Sequence, residues 1–333
     1  MVRPLNLVTG GAGFLGRHIV RQLAEAGEPV RVLDPACGRV AWPQGVEPVE
    51  TSVLDPDGLA AAMKGMETVY HLAAVPHLWA DDPRVFEQVN LDGTRAVLAA
   101  CRQAGVKRVV VTSSAVVLVG HGTAWTGSPI TEDTPRPPLD AMVGDYARSK
   151  CSAEREARAA AAEGLPVVVT YPTVPIGAGD ESETPPTRML LDFLKGRTPA
   201  YLQCRMNIGG AADMARGHIL AARHGADGAG YILGGENLWM SDLLAHLEAI
   251  SGRTMPRRRV PYPLALAAAN VQEWWADTVT HRPPQAPVAG VKLAGLPMWF
   301  DSGKARRDLG WQPAPLHDAL ADAVRWMRET GRL

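Results

Sequence analysis

The chain has 333 residues, 46% of them hydrophobic, which supplies enough apolar surface for a sizeable core and excludes an intrinsically disordered protein. Its 34 basic and 35 acidic residues leave a formal charge of −1, so it lacks the general attraction to nucleic acid or to an anionic membrane surface that a basic protein has. Cys37, Cys101, Cys151 and Cys204 lie far apart with neither C-x-x-C nor metal-ligand spacing, so no metal site is expected and the thiols read as reduced and packed.

In chain order, LNLV at 5–8 has the length of a buried parallel strand, and it starts too early to leave room for a secretory signal. A cytoplasmic location is therefore expected. TGGAGFLG at 9–16 follows, and Phe14, Ile19, Leu23 and Ala26 then recur at helical spacing. PVRVLD at 29–34 is a second strand ending in an acid. VEPVETSVLD (46–55) is read as a third strand, PDGLAAAMKG (56–65) as a short helix and ETVYHLAA (67–74) as a fourth strand. A long helix is expected from near Pro83 to Gly105, a fifth strand in KRVVVTSSAVV (107–117), a helix in DYARSKCSAEREARAAAAEG (145–164) and a sixth strand in LPVVVTYPTVPIG (165–177). This alternation predicts an α/β fold, a Rossmann-type doubly wound parallel sheet.

After 175 the composition changes. RMLLDFLKG (188–196) reads as a helix and GYILGGE (230–236) as a returning strand. The expected division is a dinucleotide-binding domain over 1–175 with returning elements near 205–235, and a smaller, interleaved C-terminal substrate-binding region over 176–204 and 236–333. RRR at 257–259 reads as a solvated loop or strand edge. YPLALAAANVQEWWADTV (262–279) comes closest to a membrane span, but Asn270, Gln272 and Glu273 interrupt it, so spanning is excluded and peripheral contact with lipid stays open. Trp274 and Trp275 fit a lid, a dimer contact or core filling.

The glycine stretch takes its meaning from its neighbours. Between a strand and a helix, Gly10 permits a tight turn, Gly13 lets backbone approach a pyrophosphate, and Gly16 lets the helix pack closely on the strand. With Phe14 and Leu15 opening the helix, the loop aims free N–H groups and a partial positive charge at phosphates. Asp34, 18 positions after Gly16, is placed to accept hydrogen bonds from the adenosine ribose and to repel a 2′-phosphate. NAD is expected, with NADP the lesser alternative because Arg39 follows close behind.

YARSK places Tyr146 and Lys150 four apart on one helical face. VTSSA ends a strand at the carboxyl edge, where open α/β sheets bind ligands, and offers Ser113 and Ser114. Proton-coupled hydride chemistry needs these parts: Tyr146 exchanges the substrate hydroxyl proton, Lys150 lowers its pKa and holds nicotinamide ribose, and Ser114 hydrogen-bonds the reacting oxygen. Pro172, at the end of the sixth strand, joins the candidate cofactor contacts. His77, Trp79, His121 and Met142, with Ser113 and Thr173, are the candidate substrate-pocket residues, in a setting with Leu78, Val117 and Trp125 that suits an apolar substrate.

TGGAGFLG, YHLAA, VNLDGT, VTSSA, YARSK and IGAGD, in this order, resemble the extended short-chain dehydrogenase/reductase family, also called the NAD-dependent epimerase/dehydratase family. The resemblance spans essentially the whole chain. It implies that Asp55 lies near the adenine, that the His71–Ala74 backbone, hence Leu72, Ala73 and Ala74, passes the cofactor, and that Asn90 and Thr94 sit behind the sheet. HLWADDP, YPTVPIGAGD, LLDFLKGRTPAY and GYILGGENL look like the hopanoid-associated sugar epimerase subgroup, whose members also resemble dihydroflavonol reductases and hydroxysteroid dehydrogenases. Two departures bear on substrate: Met206 stands where nucleotide-sugar enzymes commonly carry Arg, with Arg205 one position off, and Tyr171 replaces an Arg or Asn. The expected function is hydride transfer between NAD and a secondary alcohol or ketone of a sugar-like or polycyclic lipid substrate. An epimerase that retains its NAD is the alternative, and a non-catalytic dinucleotide-binding protein is the alternative of another class. The small-molecule substrate is the expected partner, and the resemblance suggests a homodimer through helices 83–104 and 145–163.

Overall fold

Strands that are apolar on both faces must be covered on both faces, and the chain does this with helices between parallel strands. In the computed structural model, which describes residues 5–333, the first half runs β1 (Asn6–Thr9), α1 (Phe14–Glu25), β2 (Val30–Leu33), β3 (Val46–Val49), α2 (Pro56–Met63), β4 (Thr68–His71), α3 (Gly93–Ala104), β5 (Arg108–Thr112), α4 (Gly144–Ala162) and β6 (Val167–Pro172). The second half runs β7 (Val174–Ile176), α5 (Pro185–Leu194), β8 (Ala200–Tyr201), β9 (Arg205–Gly210), α6 (Ala211–His224), β10 (Gly230–Leu233), β11 (Glu236–Trp239), α7 (Met240–Ser251), β12 (Arg258–Arg259), α8 (Tyr262–Trp275), α9 (Val288–Ala294), α10 (Gly303–Leu309) and α11 (Leu316–Glu329).

Seven parallel strands form the main sheet in the order β10-β6-β5-β4-β1-β2-β3. The order reverses between β1 and β4, the position where such sheets open a crevice for ligand. Alternation along the strands sends Leu7, Val69, Val109, Val111, Val167 and Val169 into one core, with side chains of α2, α3 and α4. Val8, Val32, Tyr70 and Val110 enter the other, under α1 and α6. Each of these buried side chains contributes about 1.5–3 kcal/mol by leaving water.

Several boundaries differ from the sequence expectation. The third strand stops at Val49, and residues up to Asp55 form the turn into α2. The fifth stops at Thr112 and yields to a short turn of helix over Ala115–Leu118. The helix expected from near Pro83 is helical from Arg84, as expected, but is wound as a π-helix over Phe86–Asp92 before it becomes α3 at Gly93. The sixth strand divides at Thr173: β6 stays in the main sheet, and β7 joins β9 and β11 in a second, three-stranded sheet. That hand-over sets the second layer at the carboxyl edge of the first. Ile176, Ile208 and Leu238 from the small sheet pack with Leu190, Leu244 and Leu320 from α5, α7 and α11 in a separate core. Ala305, Leu309 and Trp311, in and after α10, instead pack with Val168 and Tyr231 of the main sheet, so this part of 236–333 returns to the first layer. Arg258 and Arg259 pair with Ala200 and Tyr201 as a short strand edge. Trp274 and Trp275 are 61% and 51% exposed, so neither fills the core. Among the described residues, no helix is long and apolar enough to cross a membrane.

Candidate active site

At the crevice, Gly10 has φ +70° and presses on the β4 loop, where an added Cβ would come within 2.5 Å of the Ala73 backbone nitrogen. A Cβ on Gly16 would meet the Gly10 carbonyl oxygen at 2.3 Å, and one on Gly13 would meet it at 3.2 Å. These glycines therefore shape a cradle that side chains would fill. Helix α1 starts at buried Phe14 with Gly13 as its N-cap, no side-chain cap and no acid in its first turn, so its N–H groups face the cradle uncapped. Leu15 is half-buried beside it. Leu72 and Ala73 run alongside, their N–H groups donating to the Thr9 carbonyl (3.0 Å) and hydroxyl (3.4 Å), and half-buried Ala74 follows.

Asp34 follows β2 and closes the cradle. Its carboxylate accepts from the Ala12 N–H (3.1 Å) and the Ala36 N–H (2.8 Å), leaving lone pairs for sugar hydroxyls. Asp55 is exposed at the start of α2, accepts from the Thr51 hydroxyl at 2.7 Å, and is held below its usual pKa mainly by that bond. Buried His71 is a packing residue: its ring nitrogens pair with Thr9 (2.8 Å) and Thr94 (2.9 Å), and burial lowers its pKa to about 3. The donor set, the glycine cradle and the free helix N-terminus fit a dinucleotide.

Ser114, Tyr146 and Lys150 come together at the end of β5. Ser114 hydrogen-bonds the half-buried Tyr146 hydroxyl. Burial raises the phenol's pKa, and the Ser114 bond opposes the rise. Lys150 is 6% exposed, donates to the Thr112 carbonyl at 2.6 Å, and is lowered to about 8 by burial, with Glu154 pulling the other way. Pro172 is buried at the end of β6, opposite Leu233.

Two networks supporting this cluster were not legible in the sequence. Asn90 accepts from the Val75 N–H (2.7 Å) and donates to the Ser149 hydroxyl (2.9 Å), which donates to the Tyr146 carbonyl (2.9 Å), tying the β4 loop to the Tyr146 turn. Glu154, one turn beyond Lys150, accepts from Arg158 (2.8 Å), the Tyr171 hydroxyl (2.6 Å) and Ser113 (3.2 Å) and lies 3.5 Å from Arg136. Ser113 therefore turns to this buried cluster and not to a substrate. Thr173 donates to Asn207 at 2.8 Å.

Trp79, His121 and Met142 line one cavity of about 430 Å³, whose wall includes Gly144 and Asp145, the two residues before Tyr146. His77 lies outside that lining and is exposed, with its pKa lowered by partial burial and by Arg188. The cavity is more charged than the apolar pocket expected, since Asp145, Arg148, Glu273 and Lys292 share its walls with Leu78 and Val288. Met206 packs on the apolar core of the small sheet together with Val174. Arg205, on the other face of the strand, lies over the rings of Trp125, Trp239 and Trp299 at 4.8, 4.7 and 5.3 Å. That cage joins four distant segments, and no sequence signal announces it.

The model of the NAD dependent epimerase/dehydratase family matches residues 6–234. A relative named putative dihydroflavonol 4-reductase, from Synechocystis sp., is 36% identical over 97% of this chain and 94% of its own. Sterol demethylase protein B of Methylococcus capsulatus is 32% identical over 98% of this chain and 99% of its own. Among solved structures, the dTDP-glucose 4,6-dehydratase DesIV of Streptomyces venezuelae, with NAD and TYD bound, superposes with a TM-score of 0.77 at 27% identity, covering 98% of this chain and 97% of that one.

Proposed function

The chain belongs to the NAD-dependent epimerase/dehydratase family of extended short-chain dehydrogenases/reductases, and from that premise we propose that it is an NAD-linked reductase or dehydrogenase of a ketone or secondary alcohol on a largely apolar substrate. The observation that carries this reading is the hydrogen-bonded Ser114–Tyr146 pair above buried Lys150. The relatives' names, a dihydroflavonol reductase and a sterol demethylase component, support the substrate class. So does Met206: at the position where the family resemblance calls for an arginine, this chain packs a partly buried thioether against an apolar core. A nucleoside diphosphate finds no cation there.

Gly10, Gly13, Gly16, the start of α1 and the Leu72–Ala74 backbone would hold the pyrophosphate side of NAD, Asp34 the adenosine ribose, Asp55 the adenine, and Lys150 with Pro172 the nicotinamide end. When bound, the cofactor would supply the hydride chemistry, NADH as donor to the carbonyl carbon in reduction and NAD as acceptor from the carbinol carbon in oxidation. Tyr146 donates its phenolic proton to the carbonyl oxygen in reduction and takes it back in oxidation. Its raised pKa keeps the phenol protonated at neutral pH, the form that reduction uses. Ser114 hydrogen-bonds the same oxygen, and charged Lys150, fixed by Thr112, stabilises the phenolate left behind. Asn90 and Ser149 hold the turn carrying Tyr146 in register with the β4 loop.

A homodimer through the outer faces of α3 and α4 is part of the proposal; Arg95–Glu156 and Arg102–Glu163 brace the two helices within one chain as a single surface. Four buried, unpaired cysteines support a reducing, cytoplasmic setting. The test is the exchange of bound cofactor, followed by mass spectrometry of the denatured protein and by competition with labelled NAD. Exchange within each turnover, with NADH consumed by a ketone, is expected. NAD that stays bound through many turnovers would identify the epimerase alternative.

A further inference from the structure

Large hydrophobic side chains are normally scattered singly over a protein surface, yet here they concentrate in one element. Of the eight most exposed among the described residues, six lie between 262 and 279: Tyr262, Leu264, Val271, Trp274, Trp275 and Val279. Leu264, Ala267/Ala268, Val271, Trp274/Trp275 and Thr278/Val279 recur at helical spacing, and all are exposed, so α8 and the π-turn after it present one continuous outward stripe about 22 Å long. Of the whole of α8, only Ala269 is buried. The stripe carries two tryptophans toward one end, side chains suited to a boundary between water and lipid.

Charge decides between possible occupants. Residues 257–292 carry Arg257, Arg258, Arg259, Arg282 and Lys292 against Glu273 and Asp277; Arg257 pairs with Glu248 (2.7 Å) and Lys292 lines the cavity, which leaves Arg258, Arg259 and Arg282 as the outward charges, in a chain whose net charge is −1. Both acids are engaged on the cavity side: half-buried Glu273 accepts from the Val288 N–H (2.7 Å), exposed Asp277 from the Trp79 indole N–H (2.8 Å), and both line the cavity next to Tyr146. The exposed stripe is thus bracketed by Arg258 on one side and Arg282 on the other. Two copies meeting across a twofold axis would bring like charges together, whereas an anionic bilayer attracts them.

We propose that α8 docks the protein on an anionic phospholipid surface, its apolar stripe lying in the headgroup region and its flanking arginines on the lipid phosphates. The helix lies on the bilayer and does not cross it. Docking brings the cavity behind α8 to the membrane surface. The inference stands independently of the reaction assigned to Tyr146.

The test is co-sedimentation of the full chain with vesicles of phosphatidylcholine alone and of phosphatidylcholine with phosphatidylglycerol at three to one. Binding to the anionic vesicles and much weaker binding to the neutral ones is expected. Trp274→Ser with Trp275→Ser lowers binding about tenfold or more, and a second pair on the stripe, Leu264→Ser with Val271→Ser, lowers it in the same way. Arg258→Ala with Arg282→Ala lowers binding to anionic vesicles about twenty-five-fold, at roughly fivefold per charge, and leaves neutral vesicles unaffected. Turnover of a water-soluble ketone, read on the same samples, is unchanged in the Trp pair, so failure of docking and failure of the reaction are distinguished. Wild-type protein that stays in the supernatant with both vesicles overturns the proposal. So does a self-associated species that the Trp pair dissociates without any vesicle binding, which would assign the stripe to a second copy.

Discussion

Lys150→Met should make the resting protein more stable while removing its activity. Lys150 is 6% exposed, and burial takes its pKa from 10.5 to about 8. At 1.36 kcal/mol per unit, keeping the folded lysine charged costs roughly 3 kcal/mol. The variant removes this cost but strips the Thr112 carbonyl of its donor, a loss of about 1–2 kcal/mol. The net expectation at pH 7 is a gain of about 1–2 kcal/mol, seen in a urea titration or as a rise of a few degrees in Tm. The pH dependence carries the sign. Between about 8 and 10.5 the unfolded lysine binds a proton that the folded one has lost, so wild-type stability climbs with pH through this window relative to the variant. The gap between the two proteins closes accordingly. Turnover should fall about a hundredfold or more with the charge beside Tyr146 gone. A variant less stable at pH 7 by a margin that stays constant to pH 10 would refute the reasoning.

Asp34→Asn keeps the hydrogen bonds that hold the loop but removes the charge; the ratio of NADP to NAD affinity should rise about tenfold, checked by titrating each cofactor. Gly16→Ala drives a Cβ to within 2.3 Å of the Gly10 carbonyl, so cofactor binding should fall below detection by calorimetry, with a loss of about 1–3 kcal/mol in stability. Met206→Arg places a cation at this half-buried position against an apolar core; the result should be a loss of about 1 kcal/mol in a denaturation curve and no gain of UDP binding.

Much of this architecture was legible because it depends on neighbours in sequence. The Gly10 to Gly16 loop lies between one strand and the helix that follows it, and Tyr146 and Lys150 share one helical face, so local spacing reports their geometry directly. Asp34 was legible for the same reason, as the end of the next strand. What escaped is held together across the chain. The Glu154 cluster draws Arg136 and Tyr171 from separate elements, and the Arg205 cage takes its three indoles from positions 125, 239 and 299. No periodicity records such meetings. Ser113 illustrates the limit in the other direction: adjacent to Ser114 and just past the end of β5, it bonds Glu154 instead. The division of the expected sixth strand at Thr173 was equally hidden, since only the pairing of β7 with β9 shows where the chain leaves the main sheet.

Tyr146→Phe tests the central claim most directly, because it deletes one hydroxyl from the Ser114 pair and leaves the cofactor cradle intact. Measured by single-turnover oxidation of bound NADH with an accepted ketone, the rate should fall about a thousandfold while NADH affinity stays within twofold or so of wild type. A rate near wild type would show that the proton comes from another group and would contradict the account.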